Sequence, residues 1–150
     1  MKIFVLILLT LFVIGCESSS SNNSNNNYGL VGTWQSATCF EKSLDVFRSR
    51  TSTLTYTNDT VTFETKLYTD LSCTENELLS AGTRPIIIGD TVRTIDGLNA
   101  TEIDEIDTTT TFYGIFLIDG NALYFSNYRQ DEASRPNELN YNVQYLRVNQ

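Results

Sequence analysis

Two stretches of strict alternation, joined by a short turn, set the terms for this chain. Thr51 to Thr57 places Leu54 and Tyr56 on one side and threonines on the other. Asn58-Asp59 follows, and Thr60 to Tyr68 then carries Val61, Phe63, Thr65 and Leu67 on one face and Thr62, Glu64, Lys66 and Tyr68 on the other. A period of two sustained over this length is that of a half-buried strand, so the pair reads as a β-hairpin. Such a hairpin is only marginally stable alone and needs further strands to cover its apolar face.

Those strands are legible on both sides. Leu30 to Cys39 opens a first strand, in which Gly32 would permit a close approach or a bend. Phe40 to Arg50 alternates weakly and reads as loop or strand extension. Leu78 to Ile88 is a strand in which Pro85, lacking an N–H, marks an edge, a bulge or a start. Gly89-Asp90 reads as a turn, Thr91 to Ile95 as a short strand, and Asp96-Gly97 as a second turn. Ala100 to Asp107 is assigned as strand, although the spacing of Ile103 and Ile106 also fits a helical turn. Thr108 to Asp119 is apolar on both faces from Phe112 to Ile118, so both faces are expected to be covered. Asp119-Gly120-Asn121 turns the chain into Ala122 to Tyr128. Arg129 to Asn140, with Pro136, reads as a loop, and Tyr141 to Val148 as the last strand. About eight strands with no helical period imply an all-β fold. An antiparallel up-and-down β-barrel, its first and last strands paired, removes the open edges that invite aggregation.

Composition narrows the chemistry. Lys and Arg total 10 against 18 Asp and Glu, for a net charge of −8. An acidic surface disfavours nucleic acid and anionic lipid heads. The chain has no histidine. A Ser-His-Asp or Cys-His nucleophile is therefore excluded, and the commonest metal ligand is missing. Glu102, Asp104, Glu105 and Asp107 form the densest acidic run; it lacks the spacing and glycine of a calcium loop and reads as a solvated face. Nothing in the sequence places two carboxylates across a cleft, as glycoside hydrolysis would need. The expected protein is not an enzyme and carries no cofactor. Eight tyrosines and eight phenylalanines supply bulky side chains for the interior. Tyr56, Phe63, Phe112, Phe116 and Phe125 are expected to point inward, either filling the barrel, the favoured reading, or lining a cavity for an apolar ligand.

The N-terminus gives an address. Lys2 precedes an uncharged apolar run from Ile3 to Ile14, the layout of a secretory signal and shorter than the roughly 20 residues that cross a bilayer. Val13-Ile14-Gly15-Cys16 resembles the bacterial lipobox. That resemblance implies that residues 1–15 are removed and that Cys16 is acylated, the acyl chains anchoring the protein to a membrane. Glu17 is not the Asp that retains enterobacterial lipoproteins at the inner membrane, which favours the outer membrane. Ser18 to Asn27 is entirely Ser and Asn and cannot offset its ordering entropy, so residues 16–27 read as lipidated Cys and tether, with a reach of roughly 15–20 Å. The folded domain is expected over 28–150. With Cys16 set aside, Cys39 and Cys73 remain, 34 residues apart. In an exported protein an even remainder reads as a disulfide, with two buried thiols or a bond to a partner as alternatives.

Gly32-Thr33-Trp34 is similar to the Gly-x-Trp motif of the lipocalins. The resemblance implies an eight-stranded barrel whose floor is closed by Trp34, with Arg147 near the end of the last strand packed across the indole. A wider resemblance covers most of the mature chain. Trp34 to Cys39, Lys66 to Cys73, Gly97 to Asp104 and Ile118 to Phe125 look like a group of uncharacterised lipocalin-like bacterial lipoproteins. It supports the barrel and a Cys39–Cys73 bond and carries no known activity. The function expected is an envelope lipoprotein that binds a small apolar ligand or an envelope protein. A histidine-free carboxylate hydrolase and a purely structural or inhibitor-like domain are the alternatives.

Overall fold

The computed structural model describes residues 29–44, 46–75 and 77–148; the leader, Cys16 and the tether lie outside the described residues. The chain forms nine strands: β1 Gly32–Ser36, β2 Phe40–Leu44, β3 Phe47–Tyr56, β4 Thr60–Tyr68, β5 Leu78–Arg93, β6 Asn99–Ile106, β7 Thr111–Asp119, β8 Ala122–Phe125 and β9 Gln144–Arg147. Helix among the described residues is limited to one 3-10 turn, Glu132–Ser134. The sheet runs β1-β9-β8-β7-β6-β5-β4-β3-β2, and β1 pairs also with β3. That second pairing closes an antiparallel up-and-down barrel of eight strands, with β2 left as an extension on β3. β1 and β2 share β3 end to end: Thr33 and Gln35 face Thr55 and Thr53, whereas Phe40 and Glu41 face Arg50 and Ser49. The first and last strands meet with Trp34 opposite Arg147.

Several boundaries differ from the sequence expectation, each for a local reason. The first strand ends at Ser36 rather than Cys39, and β3 begins at Phe47, so the weakly alternating segment is a hairpin in its own right. Gly89-Asp90 is not a turn. β5 is one long strand with a register shift between Ile88 and Thr91. A bulge serves here because a Cβ on Gly89 would sit 2.7 Å from a carboxylate oxygen of Glu102, which crosses the strand at that point. Pro85 falls where β5 changes partners: pairing to β4 ends at Thr60–Pro85, and pairing to β6 begins at Ile86–Glu105. The missing N–H is placed where the ladder has no call on it. β8 stops at Phe125 and β9 starts at Gln144, leaving a longer loop between them than expected.

The main core is one cluster inside the barrel. Trp34, Leu30, Val61, Ile103, Phe116 and Leu123 are all buried there, and each such side chain contributes roughly 1.5–3 kcal/mol by leaving water. A second, smaller cluster lies outside the sheet, where Leu139 covers Ala100 and Ile115 with Val92, Leu117 and Tyr124 around them. This is why the Phe112 to Ile118 run is apolar on both faces: the 126–143 loop folds back over β6 and β7. Arg135 fastens it. Its guanidinium pairs with Asp104 at 2.7 Å and Glu102 at 3.4 Å, donates to the Gly114 carbonyl at 3.0 Å and lies 5.2 Å from the Tyr113 ring centre.

Candidate ligand-binding site

The two barrel ends are built differently. At the closed end the Arg147 guanidinium lies 4.1 Å above the Trp34 ring, and Trp34 is fully buried with its indole N–H donating to the Leu30 carbonyl at 2.8 Å. Arg147 donates onward to the carbonyls of Val31 and Gly29. Gly32 makes the arrangement possible. Its φ of +133° lies in a region that side-chain-bearing residues avoid, and a Cβ there would sit 2.8 Å from the guanidinium. The close approach that Gly32 allows is thus to a side chain, not to another backbone.

The opposite end carries the disulfide. Cys39, just after β1, and Cys73, beyond β4, are bonded with their Cα atoms 5.9 Å apart. The Cys73 turn is organised by Asp70, whose carboxylate accepts from the backbone N–H groups of Ser72, Thr74 and Glu75 and from the Thr74 hydroxyl. Desolvation works against the charge on Asp70, but the hydrogen bonds from Glu75, Thr74 and Ser72 outweigh it and hold the carboxyl down at about 2.

Between the two ends the barrel is hollow. A cavity of about 510 Å³ opens away from Trp34 and reaches down to Tyr56 and Val61. The expectation of a barrel filled by its own side chains therefore holds for one end only. Tyr56, Phe63, Phe112 and Phe125 line the cavity. Phe116 does not: it is buried in the closed end, its ring 6.4 Å from that of Phe125. It points inward, but one layer below the space.

Among the polar lining residues not singled out in the sequence for this role are Arg50, Arg84, Glu105 and Tyr128. Strand phase could have found two of them. Arg84 is two residues before inward-facing Ile86, and Glu105 two residues after buried Ile103. The Arg84 guanidinium lies over the rings of Phe63 and Phe112, 4.9 and 5.0 Å from their centres. It pairs with Glu105 at 3.3 Å and with Asp107 at 3.2 Å. The Tyr128 hydroxyl donates to the other Glu105 oxygen at 2.7 Å. Tyr128 comes from the returning loop, and its ring fits because residue 114 is Gly, where a Cβ would lie 2.7 Å from it.

The acidic run is thus not a solvated face. Alternation along β6 sends Glu105 inward and Glu102 and Asp104 outward, and two arginines, Arg84 and Arg135, divide the four carboxylates. No group of three or more candidate metal ligands occurs among the described residues. Burial, reinforced by the Glu105 charge, pushes Tyr56 and Tyr128 well above the usual tyrosine range, and burial also raises Tyr145. The Tyr128 hydroxyl thus stays protonated and donates to Glu105. Chemically the site is an aromatic-lined pocket with a few fixed polar groups, within the size range of about 300–1,000 Å³ that small-molecule sites occupy. Comparison with known protein families, with curated proteins and with solved structures finds no match to this chain.

Proposed function

We propose that this protein is a lipocalin-like envelope lipoprotein that binds a small, largely apolar molecule in its barrel and performs no chemistry on it. The cavity of about 510 Å³, walled by Phe63, Phe112 and Phe125, is the observation that carries this reading. A closed ring of backbone hydrogen bonds makes the wall stiff, and the packed Trp34 end makes the floor fixed, so the space is formed before a ligand arrives. Against hydrolysis, Glu105 is the one carboxylate among the described lining residues, and Arg84 and Tyr128 already engage it. A two-carboxylate mechanism needs a second acid facing the same space. The lipobox-like leader supports a lipid anchor at Cys16, with the outer membrane as the destination, and the Ser/Asn tether leaves the barrel free to meet its ligand.

Full-length protein extracted in mild detergent and examined by native mass spectrometry tests the binding function. A co-purifying small molecule, or uptake of an added naphthalene derivative, is expected; bare polypeptide after both trials refutes it. Labelling with radioactive palmitate tests the anchor, and a Cys16→Ala variant that still labels and stays in the membrane refutes it. A protein partner is a second reading, favoured by exposed Leu71, Leu78 and Leu79 beside Cys73 and at the start of β5. Crosslinking at Leu79 in intact envelopes distinguishes the two.

A further inference from the structure

Two arginines, Arg50 and Arg84, line the cavity against one carboxylate, Glu105. Arg84 pairs with Glu105 and with Asp107 outside the lining, and Glu105 also accepts from Tyr128. Arg50 also lines the cavity, and among the described residues no carboxylate forms an ion pair with it. Lys66 has Glu77, Arg135 has Asp104 and Glu102, and Arg147 has Trp34 and two carbonyls; Arg48, Arg93 and Arg129, which form no ion pair among the described residues either, do not line the cavity. What distinguishes Arg50 is its position on the inner wall.

Its surroundings suit an anion. Arg50 lies on β3 two residues before Ser52, so both face the same way. Ser52 is buried beside Tyr145, and the Arg50 charge is felt at the Tyr145 hydroxyl. Burial opposes the ionisation of Tyr145. A guanidinium presents a fixed planar fork that matches a carboxylate bidentately. Attraction between the two is stronger against a low-dielectric wall than in water. The aromatic rings of Phe63 and Phe125 line the same space and offer an apolar surface to whatever the head group carries.

We propose, resting on the binding function above, that the ligand is a small organic carboxylate, its head group on Arg50 and its apolar or aromatic body against Phe63 and Phe125. Empty, the Arg50 guanidinium keeps its water through the open mouth; filled, it exchanges that water for a charge-assisted pair.

Matched probes test this. Full-length protein in mild detergent is dialysed to equilibrium against naphthoate and, separately, against naphthylmethanol, with detergent alone as the blank. Naphthoate is expected to bind roughly ten- to a hundredfold more tightly, the range of a hydrogen-bonded charge pair. Arg50→Gln should abolish the preference, Arg50→Lys should keep part of it, and Arg93→Gln, on an exposed residue outside the cavity, should leave it unchanged. The preference should also shrink as salt is raised. Equal binding of the two probes, or an Arg50→Gln protein that still prefers naphthoate, overturns the carboxylate assignment and leaves the cavity reading standing. Binding of neither probe overturns both. Unshifted Trp34 emission and an unshifted urea midpoint show that Arg50→Gln folds; if they move, Arg50→Lys and the salt dependence carry the decision.

Discussion

Replacing Gly32 by Ala is expected to strike the barrel floor twice, and the two effects can be separated. The backbone at Gly32 sits at φ +133°, where a residue with a Cβ is strained by about 1–3 kcal/mol. The added methyl would also lie 2.8 Å from the Arg147 guanidinium and force it off the indole. Arg147 then loses a cation–π contact worth about 0.5–2 kcal/mol and its hydrogen bonds to the Val31 and Gly29 carbonyls. Each of those bonds contributes about 1 kcal/mol net. The total is about 3.5–7 kcal/mol, of which about 2.5–4 kcal/mol travels through Arg147. On an Arg147→Ala background that part is already gone, so Gly32→Ala should cost only the backbone strain there. A double-mutant cycle should therefore give a coupling of about 2.5–4 kcal/mol. Urea unfolding followed by fluorescence reads it directly, because Trp34 is the chain's single tryptophan and lies under the guanidinium. With m of about 2 kcal/mol per molar, a 3 kcal/mol loss moves the midpoint by about 1.5 M. Additivity of the two substitutions within about 0.5 kcal/mol would refute the argument that Gly32 is there to admit Arg147.

Reduction of the Cys39–Cys73 bond releases a loop of 34 residues, for which chain entropy predicts a loss of about 4 kcal/mol, checked by urea unfolding with and without dithiothreitol. Asp70, whose carboxyl is held at about 2, supports the fold at every pH above about 4 and loses that support as pH falls toward 2. Asp70→Asn should flatten the pH dependence of the urea midpoint in that window, and an unchanged acid limb would show that the turn contributes nothing. Tyr56 and Tyr128 are raised, so their contribution is complete below pH about 10 and is lost as pH climbs through their folded values. Tyr128→Phe should blunt the alkaline loss of stability, measured by thermal unfolding across that range. Arg135→Ala leaves Glu102 and Asp104 without their cation and unfastens the 126–143 loop, a loss of about 1–3 kcal/mol given the partial exposure of the pair. Faster amide exchange at Leu139 and Asn140, with β4 unaffected, is the expected signature.

How far the sequence could be read depends on which residues carried the signal. The hairpin of β3 and β4 was plain because threonines and charged residues mark most of its outer face while Leu54, Tyr56, Val61, Phe63 and Leu67 recur on the inner one. The Gly89-Asp90 pair misled because a bulge and a turn use the same residue types, and only the Glu102 side chain crossing β5 decides between them. Ile103 and Ile106 obscured β6 because they lie on opposite faces of one strand. The aromatic part of the site was readable from phase alone, with Phe116 misplaced by a single layer. Arg84 and Glu105 were not read as lining residues, since a charged residue on an inward phase looks like an error in the pattern until its partner from another strand is seen.

Alternation, turn residues and the absence of histidine determined, by themselves, an all-β chain that closes on itself and cannot run histidine-dependent chemistry. Those are local properties, set by which side of the backbone each residue faces. The depth to which the barrel is filled, the pairing of Arg84 with Glu105 and the absence of an ion pair at Arg50 among the described residues were decided only in the folded molecule. They depend on which side chains from distant strands arrive at the same height in the barrel, and strand register, not composition, sets that.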